Sequence, residues 1–194
     1  MASGTTKERI LQAAEEIMLA KSFHSVGLNE ILSAVKVPKG SFYHYFSSKE
    51  QFGVELISHY VREHTVRLQK GFSDSNTSGL QKFLDYWNFS IGLMTQGDCR
   101  QSCLVVKLSL EVTSFSEPMR EVLAGGLTKW REIFEQAVRE GQADGSILKT
   151  LDPMETAEII QDTWQGALQR AQVEKSVQPL RGAVRFLKQW LEAE

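Results

Sequence analysis

Apolar residues recur at helical spacing along nearly the whole chain, and alternating strand patterns are scarce. Between Thr5 and Lys21, Ile10, Ala14, Ile17 and Met18 fall on one face. Thr5 or Thr6 can cap the start, and Glu8 stands in the first turn. A break at Ser22–Gly27 carries Phe23 and Val26, apolar residues suited to plugging a small core. A short helix follows from Leu28 to about Val35, with Ile31, Leu32 and Val35 inward. Pro38, which has no amide hydrogen and a fixed φ, suits the first turn of a new helix from about Lys39 to Phe46. Two short helices across a tight turn, backed by an earlier one, predict a helix-turn-helix unit.

Ser47 or Ser48 then caps a long helix from Lys49 to about Lys70, carrying Phe52, Leu56, Tyr60 and Val61. The polar stretch between Phe72 and Gly79 is the clearest loop. Beyond it, Leu80, Phe83, Leu84, Trp87, Ile91 and Met94 form one stripe that ends near Gly97. Leu104 to Val112 is apolar on most faces, as in a central bundle helix. Pro118 opens a helix with Met119, Val122, Leu127, Trp130 and Phe134, which the pattern ends around Gly141. Asp152-Pro153-Met154-Glu155 combines a cap, a proline at the first position and an acid in the first turn. It introduces Ile160, Trp164, Ala167 and Ala171. The last helix, roughly Gln178 to Leu191, buries Leu180, Ala183, Val184, Leu187 and Leu191. The expected fold is therefore all-α, with about nine helices and no internal repeat or glycine-rich phosphate loop.

Charge changes the picture in one place. Residues 36–49 carry +3 in a chain whose net charge is −2, so the remainder sums to −5. Lys36, Lys39, Lys49 and His44 surround Phe42, Tyr43, Tyr45 and Phe46, with no acid before Glu50. Cations, hydroxyls and aromatic rings together suit a surface that meets a phosphate backbone and reads base edges. The bland alternative is a solvated helix that happens to be basic. The other totals exclude more than they assign. The 194 residues, 42% of them hydrophobic, suffice for one large or two small domains. No apolar run approaches the ~18–20 residues of a membrane span, and no secretory leader is evident, so a cytoplasmic location is expected.

The segments Ile10-Leu11-Gln12-Ala13-Ala14, Val26-Gly27-Leu28, Val37-Pro38-Lys39-Gly40-Ser41-Phe42-Tyr43-His44-Tyr45-Phe46 and Lys49-Glu50 together resemble the TetR family of transcriptional regulators. Pro38 stands where that family usually has a serine. The resemblance implies an N-terminal three-helix domain at 1–50 that binds double-stranded operator DNA. A helical sensing and dimerisation bundle would occupy 51–194. Its third helix would lie in the major groove, with Lys39, Gly40, Ser41, Tyr43 and His44 at the DNA. Gly40 allows close backbone approach, while Lys39, Ser41, Tyr43 and His44 offer donors and hydroxyls. Phe42, Tyr45 and Phe46 would pack inward, and Lys49 would clamp phosphate from the start of the fourth helix. A homodimer on a palindromic site is implied, with the last two helices as its candidates: Gly166, Ala167 and Ala171 permit approach, while Trp164 and Leu187 supply area.

From Ser102 to Val112, and at Ser116-Glu117-Pro118-Met119-Arg120, the chain resembles the NemR-type branch of that family, whose members sense electrophiles and oxidants. The only two cysteines, Cys99 and Cys103, lie there. Cys103 is expected in a first helical turn capped by Ser102, where unpaired N–H groups and Lys107 would lower its pKa. Cys99 could resolve an oxidised Cys103. Both could equally be small buried hydrophobes. Tyr86, Trp87, Met94, Phe115, Met119, Trp130, Phe134 and Trp164 are candidates to line an apolar effector cavity. One isolated cysteine pair suggests no metal site, and no cofactor is expected. Three alternatives remain open: a repressor induced by a reversible ligand, a thiol-dependent helical enzyme, and a non-catalytic adaptor. The enzyme is disfavoured because His24, His44, His59 and His64 all lie in the first third.

Overall fold

The computed structural model describes residues 5–97, 99 and 103–192. Nine α-helices occur among them: α1 (Thr6–Ala20), α2 (Leu28–Ala34), α3 (Lys39–Tyr45), α4 (Lys49–Phe72), α5 (Gly79–Gln96), α6 (Leu104–Val112), α7 (Glu117–Asp144), α8 (Pro153–Glu174) and α9 (Gln178–Leu191). The chain packs as two compact units, one of Met1–Glu63 with Cys103–Gly126, the other of His64–Ser102 with Leu127–Glu194. The divisions fall inside α4 and α7, so α6 and the start of α7 belong with the N-terminal helices.

In the first unit, Thr5 closes a capping box on Glu8, accepting its amide (3.3 Å) and donating its own to the carboxylate (2.7 Å). That starts α1 so that Ile10, Leu11, Ala14 and Met18 are buried. The Arg9 guanidinium donates to the Val35 carbonyl (2.9 Å), tying α1 to the end of α2. Phe42, Phe46 and Phe52 meet edge-on or tilted at 5.1–5.5 Å and are almost fully buried, with Phe23 and Val26 beside the other apolar side chains of this core. Ser48 caps α4 by accepting the Gln51 amide (3.0 Å). Lys107 of α6 donates to the Leu19 carbonyl (3.0 Å), and Ser116 donates to Glu50 (2.7 Å), so α6 and α7 are fastened to the N-terminal helices.

The second unit is built on α5, α8 and α9, with the remaining parts of α4 and α7. A Cβ at Gly79 would stand 2.3 Å from the Gly141 nitrogen, so the start of α5 touches the α7 backbone. Gly141 is therefore a contact inside α7 and not its end: the helix continues to Asp144, which accepts the Gly79 amide (2.8 Å). Likewise α7 begins at Glu117, one residue before the proline expected to open it. Buried Lys82 pairs with Glu140 (2.6 Å). Asp152 caps α8 by accepting the Glu155 amide (2.9 Å), with Pro153 at the first position as the pattern predicts.

Candidate DNA interface and thiol site

Pro38 is the N-cap of α3 (φ −60°, ψ 144°) and offers no side-chain acceptor. Its fixed φ turns the chain so that Phe42 faces the core while Tyr43, 62% exposed, faces out. Lys39, Gly40 and His44 are also exposed, Ser41 is half-buried, and a Cβ at Gly40 would meet nothing within 4 Å. The chain's own packing thus does not require glycine there. Of the three aromatics expected inward, Phe42 and Phe46 are buried, whereas Tyr45 is half-buried with its ring edge-on to His44.

Lys49 differs from the expected phosphate clamp. Its ammonium donates to the carbonyls of His24 (3.3 Å) and Val26 (3.2 Å) and lies 5.2 Å from the centre of the Phe23 ring. Those two carbonyls follow the end of α1 and have no helical partners, so the lysine is used to close the loop. Lys7 pairs with Glu55 (2.7 Å), and that bond holds the Glu55 carboxyl below the usual carboxylate range.

Cys103 is the N-cap of α6, one position before the first turn, and it is partly exposed. Ser102, the expected cap, lies outside the described residues. The buried Tyr60 hydroxyl of α4 is hydrogen-bonded to the Cys103 side chain and accepts the Leu104 amide. Burial, and then the neighbouring Cys103, push the Tyr60 pKa well above the ordinary phenol range, so Tyr60 stays protonated and can donate. Lys107, expected to act on the thiol, instead gives its ammonium to Leu19, and burial lowers its pKa. Cys99 is buried in the other unit with φ +55°, its amide bonded to the Met94 carbonyl (2.8 Å). Neither thiol is part of a disulfide.

The cavity candidates separate. Tyr86, Trp87, Phe134 and Trp164 form one aromatic cluster with Phe72 and Phe83, at centroid distances of 5.1–6.2 Å. The Trp87 Nε1–H and the Gln161 Oε1 are buried without a protein partner. Met94 is also buried, and Trp130 donates to Thr65 (3.0 Å) with His64 packed on its ring. Phe115 and Met119 do not join this group. Both belong to the first unit, where Phe115 is 45% exposed beside Phe23 and His24, and Met119 fills the space over Gly53. Proximity in sequence to the cysteines grouped them with that cluster, whereas the start of α7 packs with the N-terminal helices. A groove of about 570 Å³ does exist in the second unit, but Thr65, Phe72, Lys129, Glu132 and Ile133 are among the residues that line it, and none of the expected side chains is.

Residues 10–56 match the description "Bacterial regulatory proteins, tetR family", and residues 79–187 match "Tetracyclin repressor-like, C-terminal domain". Over 183 residues the chain is 32% identical to the HTH-type transcriptional repressor NemR of Escherichia coli (strain K12), covering 94% of this chain and 92% of that protein. The chain belongs to the TetR family. It is also 34% identical over 178 residues to the transcriptional regulator AcuR of Cereibacter sphaeroides, covering 92% of this chain and 81% of the relative. The crystal structure of E. coli NemR in its reduced form matches with a TM-score of 0.87 at 31% identity, over 97% of this chain and 98% of that one.

As a TetR-family member the protein is a DNA-binding transcriptional regulator and not an enzyme, with DNA binding assigned to its N-terminal helix-turn-helix. Regulators of this family bind operators and act as dimers with small-molecule effectors. Among the described residues no helix is long and apolar enough to cross a membrane, and no cluster of three metal-ligating side chains occurs. Sequence reasoning missed Tyr60 as the partner of Cys103. Its spacing with Phe52 and Leu56 marks it as core, and nothing in the order of residues brings it to position 103.

Proposed function

We propose that the protein is a cytoplasmic repressor that binds a palindromic operator as a homodimer and is released when an electrophile, oxidant or small apolar effector engages its helical bundle. Residues 1–50 form the DNA-binding domain, and residues 51–194 the sensing and dimerising one. Lys39 and Ser41 contact phosphate, Gly40 lets the backbone approach, and Tyr43 and His44 meet base edges. The observation that carries this is α3 itself: its aromatic side is buried, while Lys39, Tyr43 and His44 are exposed together. A duplex selected from a random pool should bind the full chain, and Lys39→Ala or Tyr43→Ala should weaken binding at least tenfold. Unchanged affinity in both variants would refute the assignment. For dimerisation, α8 and α9 expose Val173 (84%) and Phe186 (57%), apolar area suited to a second copy. A monomer in sedimentation at micromolar concentration would count against it.

Cys103 is the proposed sensing thiol. Its thiolate would add to the β-carbon of an α,β-unsaturated carbonyl, forming an S–C bond, and the thiol proton would end on the α-carbon. Tyr60, held protonated, donates to the sulfur and stabilises the anion that attacks. A relative crystallised in a reduced form supports a redox-sensitive thiol. Cys99 is the candidate to resolve an oxidised Cys103. Treatment with N-ethylmaleimide should abolish DNA binding by the wild type but not by Cys103→Ser. Normal binding by the alkylated wild type would remove the thiol switch. One observation favours a second reading, a reversible ligand: the unpartnered Trp87 donor and Gln161 acceptor lie in the same unit as the aromatic cluster. An effector carrying both an acceptor and a donor would satisfy them.

A further inference from the structure

The turn between α2 and α3 holds a residue in a conformation its side chain disfavours. Lys36 has φ +56°. There α2 closes with two bonds, Lys36 N–H to the Ser33 carbonyl (3.2 Å) and Val37 N–H to the Leu32 carbonyl (2.9 Å). This is the helix end in which the left-handed position ordinarily goes to glycine, because a Cβ crowds the following carbonyl. A lysine there costs folding free energy that glycine would not.

The surroundings indicate what the side chain does. Lys36 is exposed, residues 31–49 contain no acid, and the nearby Glu30 is paired with Lys21 (2.5 Å). The other lysines of this unit are engaged: Lys7 on Glu55, Lys21 on Glu30, Lys49 and Lys107 on carbonyls. Among the described residues of this unit, Lys36 and Lys39 are the two lysines whose ammonium groups have no protein partner, and they lie on either side of Pro38. We propose that Lys36 is a phosphate-binding residue of the DNA interface, acting with Lys39 across the start of α3, and that the left-handed backbone is retained because the cation is needed there. This rests on α3 being the groove helix.

The test is Lys36→Gly in the full chain, with Lys36→Arg and Lys39→Ala as companions. Binding is measured on a 30-base-pair duplex selected from a random pool and on an unselected duplex of equal length, between 50 and 300 mM KCl. Lys36→Gly should melt about 2 °C higher than wild type, because backbone strain is relieved. It should bind both duplexes about fivefold more weakly, with a log–log salt slope shallower by about 0.9 for each lysine lost. Lys36→Arg, which keeps the charge, should retain the wild-type slope. An unchanged slope in Lys36→Gly would overturn the proposal, as would a lowered melting temperature with unchanged affinity, the mark of a lysine that only stabilises the α2 terminus. If Lys39→Ala also leaves binding intact, the failure lies with the groove assignment of α3.

Discussion

Helices α3 and α5 both concentrate aromatic side chains, yet they use them in opposite ways. In α3 the set splits: Phe42 goes to the core while Tyr43 stays in solvent. In α5, Phe83 and Trp87 are fully buried and converge with Tyr86 on rings from α7 and α8. The difference follows from how many sides are covered. α3 has seven residues, two turns packed on one layer, so half of its perimeter stays in solvent. α5 has 18 residues and packs with α9 among other helices, so its aromatics are held by neighbours on several sides. An aromatic residue on α3 is therefore available to a partner, and one on α5 is committed to packing.

Substitutions can break that contrast. Trp87→Ala should cost about 3–5 kcal/mol in urea denaturation, whereas Tyr43→Ala should change stability by less than about 0.5 kcal/mol and act only on DNA affinity. Similar costs for the two would erase the distinction. His64 sharpens the description of the bundle. Burial, then Arg67, push its pKa down to about 4, so the unfolded chain binds its proton first as pH falls. Stability is then full above about pH 6.5 and drains by about 3 kcal/mol as pH falls to about 4. Denaturation of His64→Gln across that window should show a flatter profile, and parallel profiles would refute the shift.

The lysines extend the comparison to smaller effects. Lys49→Met should lose about 1–2 kcal/mol of stability, because two carbonyls lose a charged donor. Its salt slope for DNA should match wild type, and a shallower slope would return Lys49 to the interface. Gly40→Ala should stabilise the protein by about 0.5–1 kcal/mol, since a methyl there meets no atom and alanine favours a helix. It should weaken DNA binding all the same. Undiminished affinity would show that the backbone at Gly40 does not approach a partner closely.

Much of the fold is legible because its signals are local. The Thr5 and Glu8 box, the Asp152-Pro153 start, and the stripes through Ile10 and Trp87 need only neighbouring residues to act. Gly141 misleads for the opposite reason. Glycine is a common helix stop, but here it is the contact point for Gly79, 62 positions earlier. The resemblance to the TetR family is also local, carried by contiguous segments at 10–14 and 37–46, and comparison with known regulators bore it out.

The sequence by itself determined an all-α fold of about nine helices, a helix-turn-helix near the N-terminus, the basic segment at 36–49 and a family. Helical period, caps and contiguous motifs are short-range properties of a chain. Only the tertiary structure decided that Lys49 and Lys107 spend their charges on carbonyls, that Phe115 and Met119 pack with the first unit, that Tyr60 meets Cys103, and that Lys36 bends the chain left-handed. Each depends on groups brought together by packing, or on a dihedral set by how one helix closes before the next begins. A list of residues contains neither.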